Sequence, residues 1–273
     1  MKPQICDPSA RELAKRYQKN NIKSRSKNIL FAICGLVFLL GCSSDDAPLI
    51  ITQPQDNPLL IKRIITSQND TEFFLESQTF TYEDGTNKLI KAETRPDESL
   101  NFTYTGDLIT KIYATNRYSP FGTRYDYSYD DTGKLTTVTI IGYSKFGGGP
   151  PVVRTYTYNP DNTIDFSTTG GNSGDTVLTF GTITLTGGEV TQVTTTYNSN
   201  STTETLNYTY DDKNFYAKNI LGYKNIAFTG IIGTQGINHN RSNITYTYNA
   251  DNYPQAATYP HGAGIRTNEY IYE

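Results

Sequence analysis

Tryptophan is absent, methionine occurs only as Met1, and 273 residues hold just two histidines and three cysteines. So little imidazole and thiol leaves few means for metal binding or thiol chemistry. Charged residues are also sparse, at 19%, but 12% aromatics exclude a wholly disordered chain. Long apolar runs are scarcer still, and the clearest is Ile29 to Leu40. A helix of that length rises about 18 Å, short of the roughly 30 Å hydrocarbon core, so a permanent transmembrane span is the weaker reading.

Tyrosine is plentiful: 22 residues against 12 Phe, set among abundant Thr, Gly and Asn. That composition favours strands and turns. The charges divide unevenly. Lys2, Arg11, Lys15, Arg16, Lys19, Lys23, Arg25 and Lys27 precede residue 42, opposed there only by Asp7 and Glu12. Beyond residue 41 the balance is 24 − 8 = 16 basic against 27 − 2 = 25 acidic residues, a net charge of −9. Such a surface repels nucleic acid, and no nucleic-acid partner is expected.

The basic stretch, the apolar run and the following Gly41-Cys42-Ser43-Ser44 have the layout of a secretory signal, helical over the run. Leu39-Leu40-Gly41-Cys42 resembles the lipobox of bacterial lipoproteins, in which the Cys thiol is diacylated and the leader is cleaved before it. That resemblance implies a membrane attachment through lipid on Cys42, with Cys6 and Cys34 removed. Ser43, Ser44, Asp45 and Asp46 are similar to the Ser-plus-acidic export tag of Bacteroidetes-type surface lipoproteins. The expected location is therefore the outer membrane, at the cell surface. Three segments result: a signal peptide with basic leader over 1–41, an acylated Cys and Pro-containing tether over 42–59, and a β domain over 60–273.

The β domain is repetitive. Thr79-Phe-Thr-Tyr82, Asn101-Phe-Thr-Tyr104, Asp126-Tyr-Ser-Tyr129, Thr155-Tyr-Thr-Tyr158, Asn207-Tyr-Thr-Tyr210 and Thr245-Tyr-Thr-Tyr248 recur, and Asn268-Glu-Tyr-Ile-Tyr272 is a truncated copy. A further copy hides at 179–190, with Leu185 in the Tyr place. Aromatics alternating with Thr, Ser or Asn have the period of a strand with one buried face, placing Phe80, Phe102, Tyr127, Tyr156, Tyr208 and Tyr246 on equivalent inward rows. Asp130-Asp131-Thr132-Gly133 makes the hairpin turn, and the three-residue spacing of Leu135 and Val138 predicts a bulge in the return strand. The expected fold is all-β: a long, curled antiparallel meander of repeated hairpins, with a β-sandwich as the alternative. Tyr127-Ser-Tyr-Asp-Asp-Thr-Gly-Lys-Leu135 resembles the YD repeat of Rhs-type proteins. The resemblance implies an architecture and no particular activity.

No motif for a cofactor, a metal or a catalytic nucleophile stands out. His239 and His261 read as loop histidines without partners, and the pairs Glu83-Asp84, Asp130-Asp131 and Asp211-Asp212 read as turn formers. Tyr113, Tyr118, Tyr143, Tyr216, Tyr223 and Tyr259 lie outside the paired motif and are the candidates for stacking on a ligand. The reading that follows is a surface binding or adhesion module for a glycan or a protein. The alternatives are a polymer-degrading hydrolase, which would need one of the histidines beside a carboxylate in a cleft, and a purely structural envelope component.

Overall fold

The computed structural model describes residues 58–69, 74–116, 119–144, 147–230, 236–262 and 264–273. The signal segment, Cys42, the tag Ser43, Ser44, Asp45 and Asp46, and Tyr118 lie outside the described residues. Strands β1 (Ile61–Asn69), β2 (Phe74–Tyr82), β3 (Leu89–Arg95), β4 (Glu98–Thr105), β5 (Leu108–Asn116), β6 (Ser119–Tyr129) and β7 (Leu135–Ser144) form an antiparallel meander. It continues through β9 (Val152–Tyr158), β10 (Thr163–Gly170), β11 (Val177–Thr186), β12 (Glu189–Tyr197) and β13 (Thr202–Asn207), while the short β8 (Gly147–Gly148) pairs with β7 alone. On the other flank, β18 (Gly264–Tyr272) pairs with β1, followed by β17 (Pro254–His261) and β16 (Thr245–Tyr248). One sheet thus runs from β13 to β16 in place of two stacked sheets.

The repeat acts through its backbone. At the end of five hairpins the second motif residue faces the first or second residue of the return strand: Tyr82 faces Leu89, Tyr104 Ile109, Tyr129 Leu135, Leu185 Val190 and Tyr248 Pro254. One return-strand residue then bulges, Thr136 in the pair with Tyr129, as the spacing of Leu135 and Val138 predicts. A bulge leaves ladder groups without partners. Tyrosine hydroxyls of the next repeat meet them. Tyr129 donates to the Ile109 carbonyl at 2.6 Å, Tyr210 to Val190 at 2.7 Å and Tyr272 to Pro254 at 2.9 Å, while the Leu89 N–H donates to the Tyr104 hydroxyl at 3.0 Å. Gly133 takes the left-handed turn position at φ +79°, and Asn162 and Asn252 hold it where Gly is lacking.

Phe80, Phe102, Tyr127 and Tyr156 are buried on the inner face, and Tyr208 and Tyr246 pack against the same core. The region 60–273 is not, however, an unbroken run of hairpins. Residues 208–230 and 236–244 leave the meander through β14 (Tyr210–Asn214), α1 (Tyr223–Ile226), a 3-10 turn at Ala227–Thr229 and β15 (His239–Arg241). Phe215, Ala217, Ile220, Ile226 and Phe228 of this segment are buried in one cluster with the inner rows of the sheet. A curled sheet cannot fill its own concavity with one row of rings, so the chain supplies a plug. Asn219 donates to the Leu59 carbonyl at 2.9 Å, and Asn225 to that of Gly133 at 3.1 Å.

Candidate ligand-binding site

The plug covers the end of the inner face nearest the repeated turns. Beyond it, the inward positions of the strands become polar. In β2, Gln78 and Glu76 continue the phase of Phe80, and in β1 and β18, Thr66 and Asn268 continue that of Ile64 and Tyr270. These side chains, with Thr94 of β3 and Tyr216 of the plug, line an open cavity of about 210 Å³. Tyr216 and Tyr270 lie with ring centroids 5.4 Å apart and contribute the aromatic surface.

The wall is partly self-satisfied. Glu76 pairs with Arg95 at 3.3 Å, and the Thr66 hydroxyl donates to Asn268 Oδ1 at 3.0 Å. In contrast, the side chains of Gln78 and Thr94 and the Tyr216 hydroxyl have no hydrogen-bond partner among the described residues. Burial, reinforced by Tyr270, holds the Tyr216 hydroxyl pKa above its ordinary value, and burial raises that of Tyr270 to about 12. Both therefore remain neutral donors across the physiological range. The cavity offers a ring face, donors and acceptors, with Glu76 as the one carboxylate among its lining residues.

The candidate tyrosines fall in different places. Tyr216 joins the cavity, half-buried. Tyr223 is buried, 3% exposed, and its hydroxyl donates to the Gly236 carbonyl, so it is a core residue and not a ligand platform. Tyr113 and Tyr143 pack edge to face at 6.3 Å, with Arg124 5.8 Å from the Tyr143 ring, and neither lines the cavity. Tyr259 lies on β17 opposite Arg266. Glu76, Gln78, Thr94, Thr66 and Asn268 were not among the expected site residues, although the period of two counted back from Phe80 already puts Gln78 and Glu76 on its face.

The histidines also differ from expectation. His261 stays exposed beside the β17–β18 turn, but His239 has a partner: Nδ1 lies 3.2 Å from Glu189 Oε1. Glu189 is 4% exposed and accepts the backbone N–H groups of Ile237, Asn238 and His239 at 2.8, 2.6 and 2.9 Å. Its oxygens are spent on fastening the plug. Asp211 likewise does more than shape a turn, since it accepts the Tyr248 hydroxyl and the N–H groups of Lys213 and Asn240. A wider, shallower cleft of about 380 Å³ runs past Lys134, Tyr158, Leu185 and Lys224, but its amides are engaged, Asn225 with Gly133 and Asn238 with Gly188. Among the described residues no cluster of three metal-binding side chains occurs, and no helix is long and apolar enough to cross a membrane.

No protein-family model and no curated protein matches this chain. Among solved structures it is similar to a porin-like protein from Bacteroides uniformis, at 14% identity and a TM-score of 0.48 over 78% of this chain and 98% of that one. A porin-like protein from Bacteroides vulgatus is similar at 14% identity and a TM-score of 0.47, over 79% of this chain and 99% of that one.

Proposed function

We propose that this protein is an exported, lipid-anchored module of the bacterial outer surface that holds a glycan in its inner cavity without cleaving it. The observation that carries the reading is the set of uncommitted polar groups, Gln78, Thr94 and the Tyr216 hydroxyl, around two tyrosine rings. Polar groups on a cavity wall that no protein group engages are free to meet a ligand, and a polyhydroxylated ring supplies partners while its apolar face lies on an aromatic one. The lipobox-like Leu39-Leu40-Gly41-Cys42 and the acidic tag after it support surface attachment.

Cleavage finds less support in the side chains. Glycoside hydrolysis ordinarily uses two carboxylates about 5 to 9.5 Å apart, and Glu76 is alone in the cavity wall. His239 does meet a carboxylate, but one already holding three N–H groups.

A glycan array followed by product analysis tests the reading. Wild type is expected to retain a hit unchanged, and Gln78→Leu to lose it; release of shorter sugars would overturn the non-catalytic part. For the anchor, Cys42→Ala is expected to abolish labelling by a fatty-acid analogue and membrane partition together. Unchanged labelling would refute it.

A further inference from the structure

We propose that the captured glycan carries a small uncharged acyl substituent, an acetyl group on nitrogen or oxygen, which seats in a second, apolar chamber beneath Tyr216. The proposal rests on the glycan-binding reading above and names the sugar class that the same site takes. Directly behind the polar cavity lies a chamber of about 60 Å³ lined by Phe80, Leu89, Ala92, Phe102, Ala217 and Ile220 among others. Gln78 and Tyr216 belong to both linings, so they form the partition between the two spaces.

Three features of this partition point to an acyl group. First, protein interiors rarely leave voids larger than a water molecule, and about 10 to 15 Å³ suffices for one water. The chamber has room for a group of several heavy atoms. Most of its lining residues are apolar, the Gln78 amide and the tyrosine hydroxyls supply its polar part, and the Tyr223 hydroxyl is committed to Gly236. The aliphatic and phenyl walls favour a methyl over an ammonium or a carboxylate, which would find no counter-charge among these lining residues. Second, the Gln78 amide stands at the partition with no protein partner, placed to donate to a carbonyl oxygen or accept from an amide N–H. An acyl group has a carbonyl at its base and a methyl at its tip, the order in which the amide and the apolar walls occur. Third, Tyr216 is held by ring packing, 4.4 Å from Phe215 and 6.5 Å from Phe80 by centroid, and no hydrogen bond fastens its hydroxyl among the described residues. Its hydroxyl is thus open to a group that spans the partition.

Isothermal titration calorimetry on the full chain in detergent tests this, with glucose, galactose and mannose, their N-acetylhexosamine counterparts, their 6-O-acetyl esters and glucosamine as probes. At least one acetylated sugar is expected to bind about tenfold more tightly than its parent, and glucosamine no better than glucose. Ala217→Leu, which fills the chamber, is expected to erase the acetyl advantage and leave parent-sugar binding within about twofold. Ala92→Val fills the same space from the sheet side and serves if Ala217→Leu does not fold. Equal affinity for acetylated and parent sugars, or an advantage that survives a folded filling variant, would overturn the inference and spare glycan binding. Saturable binding of no sugar, in this panel or on the array, would instead overturn the parent reading and the inference with it.

Discussion

Replacing Glu189 with Ala puts the attachment of the plug to a quantitative test. The two-residue turn Gly187-Gly188, with φ of +60° and +82°, delivers Glu189 at the start of β12, directly against residues 237–239. Its carboxylate accepts three backbone N–H groups and approaches His239, in a site where the side chain is 5% exposed. Truncation leaves those donors without an acceptor. The Ile237 N–H is buried and the other two are partly so; at about 1 to 3 kcal/mol for a buried orphan donor and less for the others, the loss is about 3 to 5 kcal/mol. That is a large share of the roughly 5 to 15 kcal/mol that stabilises a typical domain. Urea unfolding followed by tyrosine fluorescence reads it as a lower midpoint. Glu189→Gln keeps the shape and one acceptor oxygen, and is expected to lose about half as much. A loss below about 1 kcal/mol for Glu189→Ala would refute the latch. Because Tyr216 belongs to the plug, the same variant is also expected to weaken sugar binding.

Tyr129→Phe removes the hydroxyl that meets the Ile109 carbonyl and should cost about 1 kcal/mol in the same assay, with the strand content unchanged in circular dichroism. Alkaline stability follows from the buried phenols. Tyr156 and Tyr270, their pKa values raised to about 12 by burial, each contribute about 2 to 3 kcal/mol that is present below pH 10, where both folded and unfolded chains hold the proton. It is lost as pH rises from 10 to about 12, because the unfolded chain ionises first; unfolding curves collected across that range check the fall, and Tyr156→Phe should flatten it. Gln78→Leu is expected to abolish sugar binding in calorimetry with a thermal midpoint close to that of wild type, since its amide makes no hydrogen bond within the described chain.

The hairpins were legible in the sequence because each is local. Alternation fixes a face, Asp and Gly fix a turn, and the spacing of Leu135 and Val138 fixes a bulge, all within about a dozen residues. Even the copy lacking tyrosine was recoverable, with Leu185 opposite Val190. The plug was not, because what fills a concavity is a property of the whole curled sheet. Its one mark in the sequence is an interval of 248 − 210 = 38 residues between successive motif tyrosines, with Phe215, Ala217, Ile220, Ile226 and Phe228 following no strand period. Tyr223 is buried for the same reason: it lies outside the motif yet inside the core that the plug completes. The site is less legible because the groups that distinguish the cavity are not aromatic: they are the amide of Gln78 and the hydroxyl of Thr94, on rows whose phase the rings set.

The sheet order supplies the copy at Tyr270 and Tyr272 with a return strand. β18 carries the motif tyrosines Tyr270 and Tyr272, and its neighbour β1 has the pattern of a return strand. The two complete each other. Ile61 faces Tyr272 and the bulge follows at Lys62, the arrangement that Leu89 and Tyr82 make within a single hairpin. Tyr82 then donates its hydroxyl to the Ile61 carbonyl at 2.9 Å, just as Tyr129 does to Ile109 in the interior of the series. The repeat is therefore unbroken across the junction of the two ends of the β domain, and neither β1 nor β18 is left as a sheet edge, where unpaired N–H and C=O groups would invite other chains. This junction also brings Thr66 of β1 beside Asn268 of β18, so the polar wall of the cavity exists only because the last strand returns to pair with the first.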